Sequence, residues 1–200
     1  FKRILEIDEM PGRSEPFEGV IDMFEGLRGK DILIGINTGF YAKAVRIILA
    51  NFGHNHLIEA DCGADEVSQA RPFPYMMFKI MDDLGVADVH RVMKVGDVYP
   101  VDFLEGYNLG GYSVGLTECG NTRPASAWKP MVHNGRELRP VEWFESSLSD
   151  KEALFKDWLR ESADNGTRLP YPMILIPHSN QLIKLIDEME QIEDLISSFI

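Results

Sequence analysis

The chain has 200 residues, of which 44% are hydrophobic and 26% charged; this is a globular composition that excludes disorder, collagen and low-complexity sequence and suffices to bury a core without staples. Its 32 acidic and 20 basic residues leave a net charge of −12, the opposite of the basic footprint that nucleic-acid binding needs. The two cysteines, Cys62 and Cys119, form no CxxC or Cys/His array and suit a reducing compartment. No apolar run approaches the ~20 residues of a membrane span and no signal peptide opens the chain, so a soluble, cytoplasmic protein is expected.

Residues 1–10 read as a helix or a strand, and 17–28 as a helix with Val20, Phe24 and Leu27 facing inward. Asp31–Thr38 is a near-continuous apolar run ending in polar residues, as in a buried parallel strand. Val45, Ile48, Leu49 and Phe52 then recur at helical spacing and stop at Gly53. Leu57–Asp61 is a short second strand, and Pro72 and Pro74 open a helix with Phe73, Met77, Ile80 and Leu84 on one stripe, ending at Gly85. His90–Asp97 predicts a third strand, 101–109 a short helix, and Tyr112–Leu116 a fourth strand. Thr117–Arg139 is polar and contains proline, which predicts a loop. Ser149 and Glu152 frame a capping box opening a helix with Leu154, Phe155, Trp158 and Leu159 inward. Met173–Ile176 is a last strand, followed by a stripe of Leu182, Leu185, Ile186, Met189, Ile192 and Phe199 whose acidic polar face favours core or dimer packing over a membrane. Strands alternating with helices at this spacing predict an α/β fold: a three-layer, doubly wound, mostly parallel sheet with helices on both faces.

In such a sheet, ligands bind at the carboxyl ends of the strands. Those ends carry Asn37-Thr38-Gly39, Asp61, and Gly96-Asp97 followed by Asp102. Two carboxylates at a strand–helix junction suit a hard cation such as Mg²⁺. Thr38 can bond an anionic oxygen, and Arg71 can grip one in a fork. Plainer roles compete with each. Asp97 would cap the next helix, Arg71 would pair with Asp65 or Glu66, and Thr38 would cap the helix over 42–52, with both of its roles able to coexist. Lys94, inside a strand, reads as structural; His54 and His56 read as solvated loop residues; Cys62 and Cys119 read as small buried hydrophobes. The stretch Tyr75–Phe78 reads as core on one side with the other side open to a substrate.

Three stretches in order, Ile34-Gly-Ile-Asn-Thr-Gly-Phe40, Asp65-Glu-Val-Ser-Gln-Ala-Arg-Pro-Phe-Pro-Tyr75 and Lys94-Val-Gly-Asp97 with Asp102-Phe-Leu-Glu-Gly-Tyr-Asn108, resemble three of the four motifs of the haloacid dehalogenase superfamily. The Arg-Pro-x-Pro form at 71–74 and Ser113–Asn121 are similar to the phosphonoacetaldehyde hydrolase (phosphonatase) family within it. The resemblance implies a Rossmannoid core domain over 17–200, with 1–16 the remnant of a helical cap and its linker. It also implies a chemistry. A core Asp attacks phosphorus, a cap Lys forms a Schiff base with the aldehyde, and the iminium draws the electrons of the breaking P–C bond, leaving acetaldehyde and phosphate. Mg²⁺ neutralises the charge between nucleophile and phosphoryl oxygens. By matching position, Thr38, Arg71 and Asp102 take catalytic roles, Thr38, Gly39 and Arg71 bind the phosphoryl group, and Asp97 ligates the metal, with Asp102 behind it or acting through water. A small phosphonate or phosphate-ester substrate and a homodimer are expected, with no nucleic-acid or membrane partner.

The nucleophile motif and the cap segment bearing the Schiff-base Lys have no counterpart in the 200 residues; Asp8 mimics a strand-ending acid, but no Gly-Thr follows it. Asp97 and Asp102 are separated by four residues where close relatives are expected to have three, and Ala70, Ile36 and Asn37 replace smaller or different residues of the pattern. Loss of a central strand would expose a hydrophobic edge, so a chain with these bounds is expected to be marginally stable or to self-associate. A catalytically inactive binding module and a generic phosphatase or phosphomutase of the same superfamily are the alternatives to P–C cleavage. The common requirement is that Thr38, Arg71 and Asp97 serve one magnesium-bound phosphoryl group.

Overall fold

The computed structural model describes residues 16–118, 128–164 and 173–197, with side chains described as far as Ile192. Asp8, Cys119, Phe199 and the cap remnant lie outside the described residues, apart from Pro16. The chain forms two compact units, Phe1–Ala87 and Asp88–Ile200.

In the first unit α1 spans Val20–Gly29 and buries Met23 and Leu27, not Val20 and Phe24; Phe24 instead lies edge-on to Phe52 at 6.3 Å. Strand β1 is Gly35–Thr38, shorter than the apolar run 31–38. Asp31 turns the chain at φ 57°, and the Glu59 carboxylate takes the Ile34 N–H at 2.7 Å while also pairing with Arg28. Side-chain chemistry thus claims the strand's first donors. Helix α2, Ala42–Phe52, stops at Gly53, whose φ of 75° suits a residue without a Cβ. Strand β2, Ala60–Gly63, pairs parallel with β1 from Gly35–Ala60 to Thr38–Gly63. It lies later than the run Leu57–Asp61 because Leu57 is used in a 3₁₀ turn over Asn55–Leu57. Helix α3, Tyr75–Leu84, ends at Gly85 and buries Met76, Met77, Ile80 and Met81. The expected stripe is therefore corrected: Phe73 precedes the helix and is exposed. Cys62 of β2 packs with Met76 and Ile80, whereas Asp61 on the other face of the strand meets Arg46 of α2. Helices α2 and α3 thus cover opposite faces of β2, as strand alternation requires.

The second unit holds β3 (Met93–Gly96), α4 (Val101–Leu109), β4 (Tyr112–Leu116), β5 (Met131–His133), β6 (Arg136–Leu138), β7 (Pro140–Glu142), α5 (Leu148–Asp164), β8 (Met173–Ile176) and α6 (Leu182–Ser197). Its sheet is parallel throughout, in the order β3-β4-β8-β7. The two inner strands are buried at every position, which is why they read as unbroken apolar runs. Within the stretch expected to be a loop, β5 and β6 form an antiparallel hairpin. Asn134 and Gly135, at φ 50° and 79°, make the tight turn that Asn-Gly favours. The helix cap also moves: Ser147 and Asp150 form the reciprocal box, with Ser147 N–H bonding Asp150 Oδ2 at 3.2 Å and Asp150 N–H bonding Ser147 Oγ at 3.2 Å, two residues before the frame read from 149–152. Phe155 and Trp158 of α5, and Leu182, Leu185, Met189 and Ile192 of α6, are buried within the chain. No helix among the described residues is long and apolar enough to cross a membrane.

Candidate functional site

The first unit gathers three of the residues singled out by sequence. Thr38 ends β1, and its Oγ1 accepts the Phe40 N–H at 3.3 Å. It does not cap α2, correcting one of its two roles: the helix N-cap is Tyr41, without a side-chain bond, and the Ala42 N–H donates to Asp65 Oδ1 at 2.7 Å. Arg71 comes down on the loop that follows Thr38. A Cβ built on Gly39 would lie 3.0 Å from Arg71 Nη2, which places the guanidinium against the Gly39 backbone. Thr38, Gly39 and Arg71 therefore present a hydroxyl, exposed backbone and a forked cation together, a set suited to a phosphoryl group.

The acids offered to Arg71 by the plainer reading have other partners. Asp65 takes the α2 amide, and Glu66 accepts the Gly63 N–H at 2.9 Å and pairs with Arg46 at 2.7 Å. The Gly63 amide, then the Arg46 guanidinium, hold the Glu66 carboxyl below the usual glutamate range against the opposing effect of burial. Asp61 is not at a strand end, because β2 continues to Gly63, and it faces Arg46 at 3.3 Å. Phe40, next to Gly39, and Phe73, two residues after Arg71, are 53% and 49% exposed; the sequence reading set Phe73 on a buried stripe and gave Phe40 no role beyond its place in the motif.

The second unit carries the acidic pair. Asp97 is half-buried one residue beyond β3. It is not a helix cap, since the N-cap of α4 is Pro100. Asp102 is 3% exposed. Its Oδ2 accepts the Val98 N–H at 3.0 Å, and its Oδ1 lies 3.5 Å from Lys94 Nζ. Lys94 also pairs with Glu105 at 2.9 Å, and both are buried. A Cβ on Gly96 would lie 2.5 Å from Asp102 Cβ and equally close to its carboxyl group; the missing side chain is the cradle in which that carboxylate sits. Reading Lys94 as structural named none of its partners; the signal for them was a charged residue inside an apolar strand with acids at 102 and 105 on the following helix.

The donor set fits Mg²⁺, which needs only one or two carboxylates and keeps several waters. Asp102 Oδ2 accepts the Val98 amide N–H and its Oδ1 faces Lys94, so Asp97 would be the direct ligand with Asp102 behind it. Among the described residues no group of three or more His, Cys, Asp or Glu is arranged to hold a metal by itself. His54 lies between Phe52, edge-on at 5.6 Å, and His56 at 6.0 Å between ring centroids. Burial pushes the Cys62 thiol up to about 11, away from the lowered range of a reactive cysteine.

Residues 3–115 match the family model described as haloacid dehalogenase-like hydrolase. A phosphonoacetaldehyde hydrolase of Parabacteroides distasonis is 35% identical over 133 residues, which are 61% of this chain and 50% of the relative. A phosphonoacetaldehyde hydrolase of Bacillus cereus (strain AH187) is 31% identical over 132 residues, 65% of this chain and 49% of the relative. The chain thus spans about half the length of these curated relatives. A solved phosphonoacetaldehyde hydrolase-like protein from Oleispira antarctica superposes with a TM-score of 0.60 at 21% identity, over 95% of this chain and 62% of that one, and shares the fold. The α/β architecture, the ordered motifs and the matched span agree: the chain belongs to the haloacid dehalogenase-like hydrolase family.

Proposed function

We propose that this chain carries the phosphoryl- and metal-binding core of a phosphonoacetaldehyde hydrolase, a Mg²⁺-dependent enzyme that breaks a P–C bond to give acetaldehyde and phosphate. The observation that carries the reading is the seat of Arg71 on Gly39 beside Thr38, built from the Arg-Pro-x-Pro form of the motif. Relatives named phosphonoacetaldehyde hydrolase, at 35% and 31% identity, support this choice of substrate.

The roles follow from chemistry. Thr38 donates its hydroxyl to a phosphoryl oxygen, and the Gly39 backbone lets that oxygen approach. Arg71 offers two parallel N–H donors on a cation, which both orients the group and offsets its negative charge. In a chain of net charge −12, that local cation supplies attraction the rest of the protein lacks. Asp97 would hold Mg²⁺, which supplies charge neutralisation at the phosphoryl oxygens. Asp102 acts through the loop it ties rather than on substrate. The nucleophilic acid and the imine-forming Lys that the reaction needs match no position here, so these 200 residues are assigned the grip and the metal rather than the bond-forming groups.

The test is phosphate release from phosphonoacetaldehyde by the intact protein in Mg²⁺. Release that is abolished by borohydride only when substrate is present, and that falls by about 100-fold or more in Arg71→Ala, is the expected result. Turnover of phosphate monoesters without phosphonoacetaldehyde, and without borohydride trapping, would overturn the assignment in favour of a phosphatase.

A further inference from the structure

Lys94, Asp102 and Glu105 place one ammonium against two carboxylates with almost no solvent: they are 6%, 3% and 0% exposed. Taking charges out of water is costly, and well-packed apolar side chains commonly serve stability as well or better. A cluster of this kind therefore calls for a reason other than stability. Its geometry supplies one. Asp102 and Glu105 lie one helical turn apart on α4, and both reach Lys94 on β3. Gly106 lets the helix come that close: a Cβ there would sit 2.9 Å from Lys94 Cβ and closer still to Ser113 Oγ. From this floor Asp102 extends to the Val98 N–H at 3.0 Å, so the ammonium, the carboxylate and the amide form one chain of contacts ending in the loop 97–100. That loop carries Asp97.

From this we infer that Lys94 is a positioning residue for the metal-bearing loop, acting through Asp102, with Glu105 as its counter-charge. Lys94 orients the Asp102 carboxylate from below; Asp102 fixes the Val98 amide; the fixed amide sets the backbone from which Asp97 projects. The inference rests on Asp97 as the Mg²⁺ ligand proposed above. Neither Lys94 nor Glu105 touches metal or substrate in this scheme.

The test separates metal affinity from folding. Mg²⁺ alone is titrated calorimetrically into the intact protein, and urea unfolding is followed in parallel. Lys94→Met/Glu105→Met removes a matched pair of charges while keeping the volume filled. Because the buried Asp102 carboxylate then loses its ammonium, the urea midpoint is expected to fall. The still-folded protein is expected to bind Mg²⁺ at least tenfold more weakly, the loss typical of an outer partner of a ligand. Glu105→Gln, which removes the carboxylate charge competing with Asp102 for Lys94, is expected to keep Mg²⁺ affinity within twofold. This variant is decisive on its own if the Met pair does not fold, and a tenfold loss in it overturns the inference. Asp97→Asn separates the two levels. If it abolishes binding while the Met pair retains wild-type affinity, the role of Lys94 is wrong and the metal assignment stands. If Asp97→Asn still binds Mg²⁺ as the wild type does, both fall.

Discussion

Gly96→Ala would plant a methyl group where the Asp102 side chain lies. The new Cβ would sit 2.5 Å from Asp102 Cβ, whereas ordinary contact begins near 3.4 Å, so Asp102 must retreat by about 1 Å. The Asp102 Oδ2–Val98 N separation of 3.0 Å would then approach 4 Å, about 1 Å beyond any useful hydrogen bond. Loss of a bond to a charged group costs roughly 1.5–3 kcal/mol and overpacking of a tight interior roughly 1–3 kcal/mol. The two overlap, because retreat relieves the clash as it breaks the bond, and we expect about 3 kcal/mol. Urea unfolding of the intact protein reads this directly. Gly29→Ala is the control, since no atom lies within 4 Å of the added methyl, and it should change stability by about 0.5 kcal/mol or less, or raise it slightly. In the Asp102→Ala background the Cβ contact persists but the carboxyl group and its bond to Val98 are gone, so the hydrogen-bond share of the cost of Gly96→Ala, more than about 1 kcal/mol, should disappear. Equal stabilities of Gly96→Ala and Gly29→Ala, or strict additivity with Asp102→Ala, would refute the cradle.

The other expectations concern regions away from the candidate site. Burial opposes ionisation of Glu188, but the Lys151 ammonium at 2.7 Å and the Trp143 indole N–H at 2.8 Å outweigh it and hold the carboxyl below the usual range. A depressed folded value means that its stabilisation is complete above about pH 4.3, the ordinary glutamate value, and is lost as pH falls through the lower folded one. Glu188→Gln should therefore cost about 1.5–3 kcal/mol at pH 7 and flatten thermal stability against pH below about 4.3, and an unchanged acid slope would count against the bond. Cys62, fully buried with its thiol pushed up to about 11, should resist alkylation at pH 8 in a Cys119→Ser background until urea opens the fold; labelling at the rate of an exposed thiol would contradict its placement.

What could be read in advance, and what could not, divides along physical lines. Helix α2, its Gly53 stop, and strands β4 and β8 follow from local pattern because one periodicity or one unbroken apolar run determines each. The Asn134-Gly135 turn was equally legible, yet the surrounding polar composition drew the stretch toward a loop. Strand β1 begins late because Glu59, a residue distant in sequence, takes the Ile34 amide, and Thr38 does not cap α2 because Asp65 reaches that amide first. No window of neighbours contains such competition. At the candidate site, composition and motif order marked Thr38, Arg71, Asp97 and Asp102 as an anion-and-metal set. Lys94 escaped, because a charge inside a strand is informative only once its partners are known, and Glu105 and Asp102 become its partners only when α4 folds back across β3 at Gly106. Sequence alone determined which kinds of groups were available and in what order; the tertiary packing decided which of them share a proton donor, a charge or a cradle, because those interactions depend on distance through space and not along the chain.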